Sequence, residues 1–366
     1  MAGRKITYSK VGEDYEKKDP VKKLAQVQAR LTSKNILPFQ ELSETRGESA
    51  YVWEQGKILM ASVIEGLGTK NLVADEMGQL TNHDYYENIA HDTVAAIVND
   101  LVTVGARPLV VHAFWAVGDV NWVSNERRIR NLVRGWKKAC DLSLASWGGG
   151  ESPTLRGIID SEAIVLGGSC VGIIGNKKRL ISERKLKVGD AIILIKSSGP
   201  NANAISLIRA TAKKLKKGYL TKLPDGKLFG EAVLAKTNIY ARLVQNLLDE
   251  GIDIHYITNI TGHGFRKIMR SKRELTYVID KIFEPQELFK IIQSVANLTD
   301  KDMYGTFNMG QDYAIFVPQK DIEKVIRIVR KNKFKAIKAG YVGKGGKQVI
   351  IKPKNILYSS DTLDLR

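Results

Sequence analysis

From Ile58 the chain reads Ile58-Leu59-Met60-Ala61-Ser62-Val63-Ile64, then Glu65, then Gly66-Leu67-Gly68-Thr69-Lys70. Seven residues with hardly a polar atom predict a buried strand, and that strand stops where a carboxylate meets two glycines. Two further stretches follow the same plan. Ile97-Val98-Asn99-Asp100 ends an apolar run on a carboxylate, and Gly148-Gly149-Gly150-Glu151-Ser152 sets one beside a glycine turn. A carboxylate, bare backbone N–H groups and a lysine suit a metal-bound phosphate chain. Mg²⁺ takes one or two carboxylates with phosphate oxygens, and the lysine neutralises the remaining charge. The spacing is not that of a Walker A loop, whose lysine follows a four-residue spacer and a glycine.

Beyond Ile58, apolar strand-like runs alternate with amphipathic helices. Tyr86–Val104 is predicted helical from Ile89, Val94, Ile97, Leu101 and Val104, with Asp92, Asn99 and Asp100 on one polar stripe opposite the packed face. Leu109–Val117 is predicted as a strand, Ser124–Leu142 as a helix, Ser143–Trp147 as a short strand delivering the glycines, and Glu162–Ile174 as a strand. After the polar bridge at 176–190 come a strand at Ala191–Lys196, a helix at Ala202–Lys217 and one long helix at Glu231–Glu250. Then follow a strand at Ile254–Ile260, a helix at Pro285–Ala296, a strand at Tyr313–Pro318 and a helix at Asp321–Lys331. A hairpin of Ala336–Val342 with Gln348–Ile351 closes the list. The first 50 residues show helical character only near Val21–Arg30. The length suits two domains, placed at 1–180 and 181–366.

The three carboxylate stretches, in this order, resemble the aminoimidazole ribonucleotide synthetase (phosphoribosylformylglycinamidine cyclo-ligase) family. The likeness continues through Gly105-Ala106-Arg107-Pro108-Leu109, Val188-Gly189-Asp190 and Leu194-Ile195-Lys196-Ser197-Ser198-Gly199. It extends to Ile257-Thr258-Asn259-Ile260-Thr261-Gly262-His263-Gly264 and Met303-Tyr304-Gly305-Thr306-Phe307-Asn308-Met309-Gly310. The resemblance implies a two-domain α/β (α+β) fold, its N-terminal sheet closing a barrel across a homodimer and its C-terminal domain an α/β sandwich. It also implies ATP-dependent closure of a phosphorylated ribonucleotide, in which the formyl oxygen is phosphorylated and the substrate's own amine closes an imidazole ring in purine synthesis. Such chemistry needs no protein nucleophile. It needs groups that hold Mg²⁺ and phosphates and stabilise charge at the transferring phosphoryl group.

On that footing Glu65, Asp92, Asp100 and Glu151 are the expected Mg²⁺ ligands, and Lys70, Asp100 and Asn201 the expected catalytic residues. Gly66, Gly68, Thr69, Lys70, Asn99, Gly149, Thr306 and Asn308 are expected around ATP or substrate, with K⁺ as a further ion. Gly262 and Gly264 are expected to let backbone approach a phosphate. The sequence departs from the family pattern at several of these points. Glu65 stands for an aspartate, Asn201 for a histidine, His263 for a glycine and Gln311-Asp312 for small residues. No glycine-rich segment precedes the first strand.

Composition sets outer limits. With 43% hydrophobic and 26% charged residues the chain reads as an ordinary globular protein. No apolar run approaches the ~20 residues that cross a bilayer. Met1-Ala2-Gly3-Arg4-Lys5 lacks the apolar core of a signal peptide, and a cytoplasmic protein is expected. Cys140 and Cys170 are too few for a disulfide framework and read as buried thiols. The formal charge of +18 is lopsided. Residues 1–180 carry 23 basic and 21 acidic side chains, net +2, and residues 181–366 carry 34 and 18, net +16. Such an excess can gather a phosphorylated substrate, whereas nucleic acid is not expected, because the lysine clusters lack interleaved aromatics. None of the five histidines has metal-ligand spacing; His112 reads as a core residue, and His263 as one that can face the site. Two other functions remain open: a phosphotransferase of the same superfamily acting on another substrate, and a basic binding protein without catalysis. The selenide and carbamoyl relatives usually carry a reactive N-terminal cysteine or a cysteine tail; here the first cysteine is Cys140 and the chain ends Asp361-Thr362-Leu363-Asp364-Leu365-Arg366.

Overall fold

The computed structural model describes residues 5–363. The expectations drawn from the first four and last three residues, on a leader and on a cysteine tail, lie outside the described residues. Helix α1 (Tyr15–Leu31) precedes a six-stranded sheet made of β1 (Gln40–Glu41), β2 (Tyr51–Gln55), β3 (Ile58–Gly66), β4 (Arg107–Val117), β5 (Ser146–Glu151) and β6 (Ile164–Ile174). The spatial order is β1-β2-β3-β6-β4-β5; β4 and β5 run parallel and every other neighbour antiparallel. Helices α2 (Lys70–Thr81), α3 (Tyr86–Leu101) and α4 (Glu126–Leu142) belong to the same half.

Strand alternation leaves this sheet with two unlike faces. Leu59, Ala61, Val111, Leu166 and Cys170 point inward and are buried under α3 and α4. Glycines in β6 let α3 lie close. A Cβ at Gly168 would meet Ile97 Cδ1 at 3.0 Å, and one at Gly172 would meet Leu101 Cδ2 at 2.8 Å. The opposite face carries Ile64, Phe114 and Val165, which are 78%, 39% and 47% exposed.

The second sheet comprises β7 (Ala191–Lys196), β8 (Tyr256–Asn259), β9 (Thr276–Ile279), β10 (Gln311–Val317), β11 (Ala336–Gly343), β12 (Gln348–Ile351) and β13 (Ile356–Ser359), ordered β13-β12-β9-β11-β7-β10-β8. Its central strands are apolar almost throughout because both faces are covered. Helices α7 (Ala241–Asp249) and α10 (Ile322–Lys331) pack on one face, through Val244, Leu247, Val325 and Val329 against Ile193, Ile315 and Val317. On the other face lie α5 (Ile205–Ala212), the short α6 (Phe229–Val233), α8 (Glu287–Ala296) and the short α9 (Asp300–Tyr304), in a core continuous with that of the first half. Among the described residues no helix is long and apolar enough to cross a membrane.

Two expectations need correcting. Ala336–Val342 and Gln348–Ile351 do not form a hairpin, because β9 lies between them, antiparallel to β11 and parallel to β12. Nor is Glu231–Glu250 one helix: it breaks over 234–240, for a reason that becomes plain at the site.

Candidate active site

The two halves meet along α3. Its polar stripe is turned inward, and Asp92, Asn99 and Asp100 are all buried. Asp92 and Asn99, with His91 and Asn88 of the same helix, clasp the 234–240 segment, whose backbone would otherwise lose helical hydrogen bonds without replacement. Asp92 Oδ1 accepts from the Thr237 N–H at 2.7 Å, and His91 Nε2 donates to the Thr237 carbonyl at 2.8 Å. Asn99 donates to the Asn238 carbonyl at 2.7 Å and accepts from the Tyr240 N–H at 2.9 Å. Asn88 donates to the Leu234 carbonyl at 2.9 Å. The break in the predicted long helix is therefore filled by side chains from the other half.

Beside this clasp a cavity of about 430 Å³ opens between the halves. The end of β3 supplies Glu65, and α3 supplies Asp92, Asn99 and Asp100. The turn after β7 supplies Asn201 and Asn203, the end of β8 supplies Asn259, and the segment after it supplies Thr261, Gly262, His263, Lys267 and Arg270. Helix α1 closes one side with Tyr15, Lys22 and Gln26. The Tyr15 ring stacks on His263 at 3.7 Å, and His263 Nε2 lies 3.2 Å from Asp19 Oδ2. Burial, aided by Arg266, pushes the His263 pKa down to about 3, so the ring is neutral.

The charged centre is a pair of carboxylates. Glu65 and Asp100 share a hydrogen bond, and burial together with the neighbouring Asp100 charge pushes the Glu65 pKa up to about 8. Asp100 Oδ1 also accepts from Asn259 Nδ2 at 2.6 Å. Lys267 is held against the Thr261 hydroxyl, and burial lowers its pKa. Two carboxylates that repel each other when both ionise, with a lysine and an arginine alongside, fit a divalent cation carrying phosphate oxygens. Among the described residues no group of three or more His, Cys, Asp or Glu is placed to hold a metal. The expected four-carboxylate set is thus not assembled in one chain.

Glu151 shows why. Glu65 pairs in register with Gly168, then Ala113, then Gly150, so these share one face of the sheet. Glu151 pairs with Phe114 and lies exposed on the other face, the one that carries Ile64 and Val165. Gly149, left-handed at φ +94°, is on the same edge strand and not at the cavity.

Lys70, expected on ATP phosphates, is sealed from the cavity. As the first residue of α2 it directs its side chain back into the domain interface. There it donates to Asp92 Oδ2 at 2.5 Å, the Asn201 carbonyl at 2.8 Å and the Ala235 carbonyl at 3.3 Å. Asp92 is accordingly committed to Lys70 and Thr237. Gly66 lines the cavity; Gly68 and Thr69 form the turn into α2 and do not. Asn308 is buried, donating to the Gly199 carbonyl in the turn after β7 at 2.9 Å and to Asp312 at 3.2 Å, and half-buried Thr306 does not reach the cavity. Gly264 faces the Tyr304 and Phe307 carbonyls, and a Cβ at Gly262 would meet the Tyr15 hydroxyl at 2.7 Å. Gly262 lines the cavity, whereas Gly264 does not. Both cysteines are buried and burial pushes their thiols up to about 12, which leaves them poor nucleophiles.

Sequence reasoning missed Lys267, Arg270, Asn259, Thr237 and Asp312 as site residues. Only Lys267 and Arg270 carried a signal, two basic residues three apart just after the glycine turn.

Two family models match the chain: AIR synthase related protein, N-terminal domain, over residues 47–174, and AIR synthase related protein, C-terminal domain, over residues 187–352. The phosphoribosylformylglycinamidine cyclo-ligase of Methanocaldococcus jannaschii is 31% identical over 328 residues, covering 89% of each chain. That of Carboxydothermus hydrogenoformans is 30% identical over 299 residues, 80% of this chain and 83% of its own. Among solved structures, a HypE–HypF complex matches with a TM-score of 0.60 at 16% identity, covering 86% of this chain and 93% of that one. AaThiL complexed with AMPPCP and TMP matches with a TM-score of 0.58 at 15% identity, covering 85% and 89%. At these identities the structural likeness speaks for the fold alone.

Proposed function

We propose, from the premise that this chain belongs to the AIR synthase related family, that it is an ATP-dependent cyclo-ligase converting formylglycinamidine ribonucleotide to aminoimidazole ribonucleotide. The observation that carries the reading is the Glu65–Asp100 pair set beside Lys267 and Arg270 in a cavity walled by both halves. When bound, Mg-ATP supplies the phosphoryl group that makes the formyl oxygen a leaving group. Glu65 and Asp100 would hold the cation, with Asn259 fixing the Asp100 carboxylate. Lys267 and Arg270 would neutralise phosphate oxygens that the cation leaves uncovered. The substrate brings its own nitrogen nucleophile, which agrees with a cavity lined by hydrogen-bonding and charged groups and by neither thiol. K⁺ is carried as a further ion without an assigned site.

The exposed apolar face of the first sheet supports a homodimer, a second copy covering Ile64, Phe114 and Val165 and meeting Glu151 there. A cytoplasmic location is proposed with this function. The basic C-terminal half is read as gathering a phosphorylated substrate and not nucleic acid. A second reading is a phosphotransferase of the same superfamily with another substrate. Asn201, standing where the cyclo-ligase pattern has histidine, favours it, because asparagine cannot carry a proton or positive charge near pH 7.

Calorimetric titration tests the metal centre. Asp100→Asn is expected to weaken Mg-ATP binding by about 10- to 100-fold, the range seen when metal sites lose a supporting group. Unchanged affinity in Asp100→Asn and in Glu65→Gln would remove the pair from the metal site.

A further inference from the structure

The helices on one face of the second sheet cover only part of it. The core beneath α7 and α10 takes residues from β7, β8 and β10 and none from β9, β12 or β13. Register places Tyr341 of β11 beside Val278 of β9, Val278 beside Ile350 of β12, and Ile350 beside Leu357 of β13. Tyr341 also pairs with Ala191, which belongs to the core under the two helices, so this apolar row continues the same face. Tyr341 and Leu357 are 40% and 46% exposed, Ile350 is half-buried, and only Val278 is buried.

The surroundings of the row are basic. Residues 331–357 hold eight lysines and no arginine, aspartate or glutamate. Lys338 pairs with Ile193, so it shares the face, and it is exposed. Lys352 Nζ lies 5.8 Å from the Tyr341 ring centroid and 2.7 Å from Asp280. An apolar row rimmed by charge marks an interaction surface, and charge of one sign selects a partner of the other. A second copy of the chain does not supply it. Helix α1 has an uncovered apolar stripe, with Val21, Leu24, Val27 and Leu31 each 60–65% exposed, but it carries Lys17, Lys18, Lys22, Lys23 and Arg30 against Glu16 and Asp19. Single-stranded nucleic acid stacks its bases on aromatic rings, and arginine is the fitter partner for its phosphates; this row has one ring, three aliphatic chains and a lysine rim.

We propose that β9, β11, β12 and β13 form a docking surface for a partner protein, which lays an acidic amphipathic helix along this row beside α10, the helix that packs on β11. The apolar stripe of that helix does for these strands what α7 and α10 do for the rest of the sheet, and its carboxylates meet Lys338 and Lys352. The surface is separate from the cavity between the halves, which none of the four row residues lines.

Fluorescence anisotropy on the full chain tests it, with a labelled synthetic helical peptide that has leucine at every third or fourth position and glutamate elsewhere. Saturable binding is expected. Tyr341→Ala and Leu357→Ala are each expected to weaken it about 10-fold, the loss of one interface anchor. Lys338→Glu, an exposed charge whose reversal spares the core, is expected to weaken it as well. Replacing Lys213, Lys214, Lys216 and Lys217 by serine, which removes another lysine cluster, is expected to leave it unchanged. Retained circular dichroism in each variant separates loss of the surface from loss of the fold. No binding by wild type, or a loss in the 213–217 variant equal to that in Lys338→Glu, would overturn the inference. A thymidine oligonucleotide of equal charge that binds as tightly as the peptide, and loses affinity in Tyr341→Ala but not in Leu357→Ala, would make this a nucleic-acid surface and overturn it too.

Discussion

Replacing Lys70 with methionine is expected to cost about 3–5 kcal/mol of folding stability, the usual result of removing one partner of a buried ion pair. Lys70 is 0% exposed, and its ammonium group satisfies Asp92 and two backbone carbonyls from the second half. Methionine fills much of the volume and supplies no donor. Asp92 would then be an enclosed anion with only the Thr237 N–H to meet it. The double variant Lys70→Met/Asp92→Asn is expected to recover most of the loss, since a neutral amide oxygen still accepts from Thr237 and no charge is stranded. Denaturant unfolding of the three proteins checks this. A single variant within about 1 kcal/mol of wild type, the scale of an exposed pair, would mean that Lys70 is not the strut described here.

The second large effect concerns assembly. Sedimentation is expected to find wild type as a dimer and Phe114→Arg as a monomer at micromolar concentration. Phe114 and Ile64 are on the uncovered face of the first sheet, and Ile64 alone is 78% exposed. In a two-fold interface each substitution occurs twice. At about 2–4 kcal/mol for a central aromatic anchor, the doubled loss is about 4–8 kcal/mol, or roughly 10³- to 10⁶-fold in dissociation constant. A control charge on the covered C-terminal face would unfold the protein instead, so retained circular dichroism in Phe114→Arg is part of the expected result. A monomeric wild type would contradict the reading of this face.

These two predictions also mark where the sequence was legible. Strands β3, β4 and β7 announced themselves through alternation or unbroken apolar runs, and Glu65 and Asp100 through their places at the ends of apolar elements. Each signal is local. Lys70 misled because its partner Asp92 is 22 residues away and Asn201 is 131 away; a lysine after a glycine turn reads the same whether it meets a phosphate or a carboxylate. Asn308 misled for the same reason, its amide being spent on Asp312 and on Gly199, 109 residues away. Glu151 had the right chemistry, but a register shift between Val111 and Ala113 on the edge of the sheet decides its face, and no composition reveals a register. β9 escaped because four residues, Thr276–Ile279, are too few to show a period. Its insertion undid the predicted hairpin. The 234–240 break was hidden because the groups that satisfy its backbone belong to α3, in the other half of the chain.

The most direct measurement is a product assay on the purified wild-type chain with formylglycinamidine ribonucleotide, ATP, Mg²⁺ and K⁺. Release of aminoimidazole ribonucleotide with one ADP and one phosphate per ring closed is the expected result, and Asp100→Asn should abolish it under the same conditions. ATP hydrolysis or phosphoryl transfer to another acceptor, with no imidazole product from the ribonucleotide, would contradict the cyclo-ligase function.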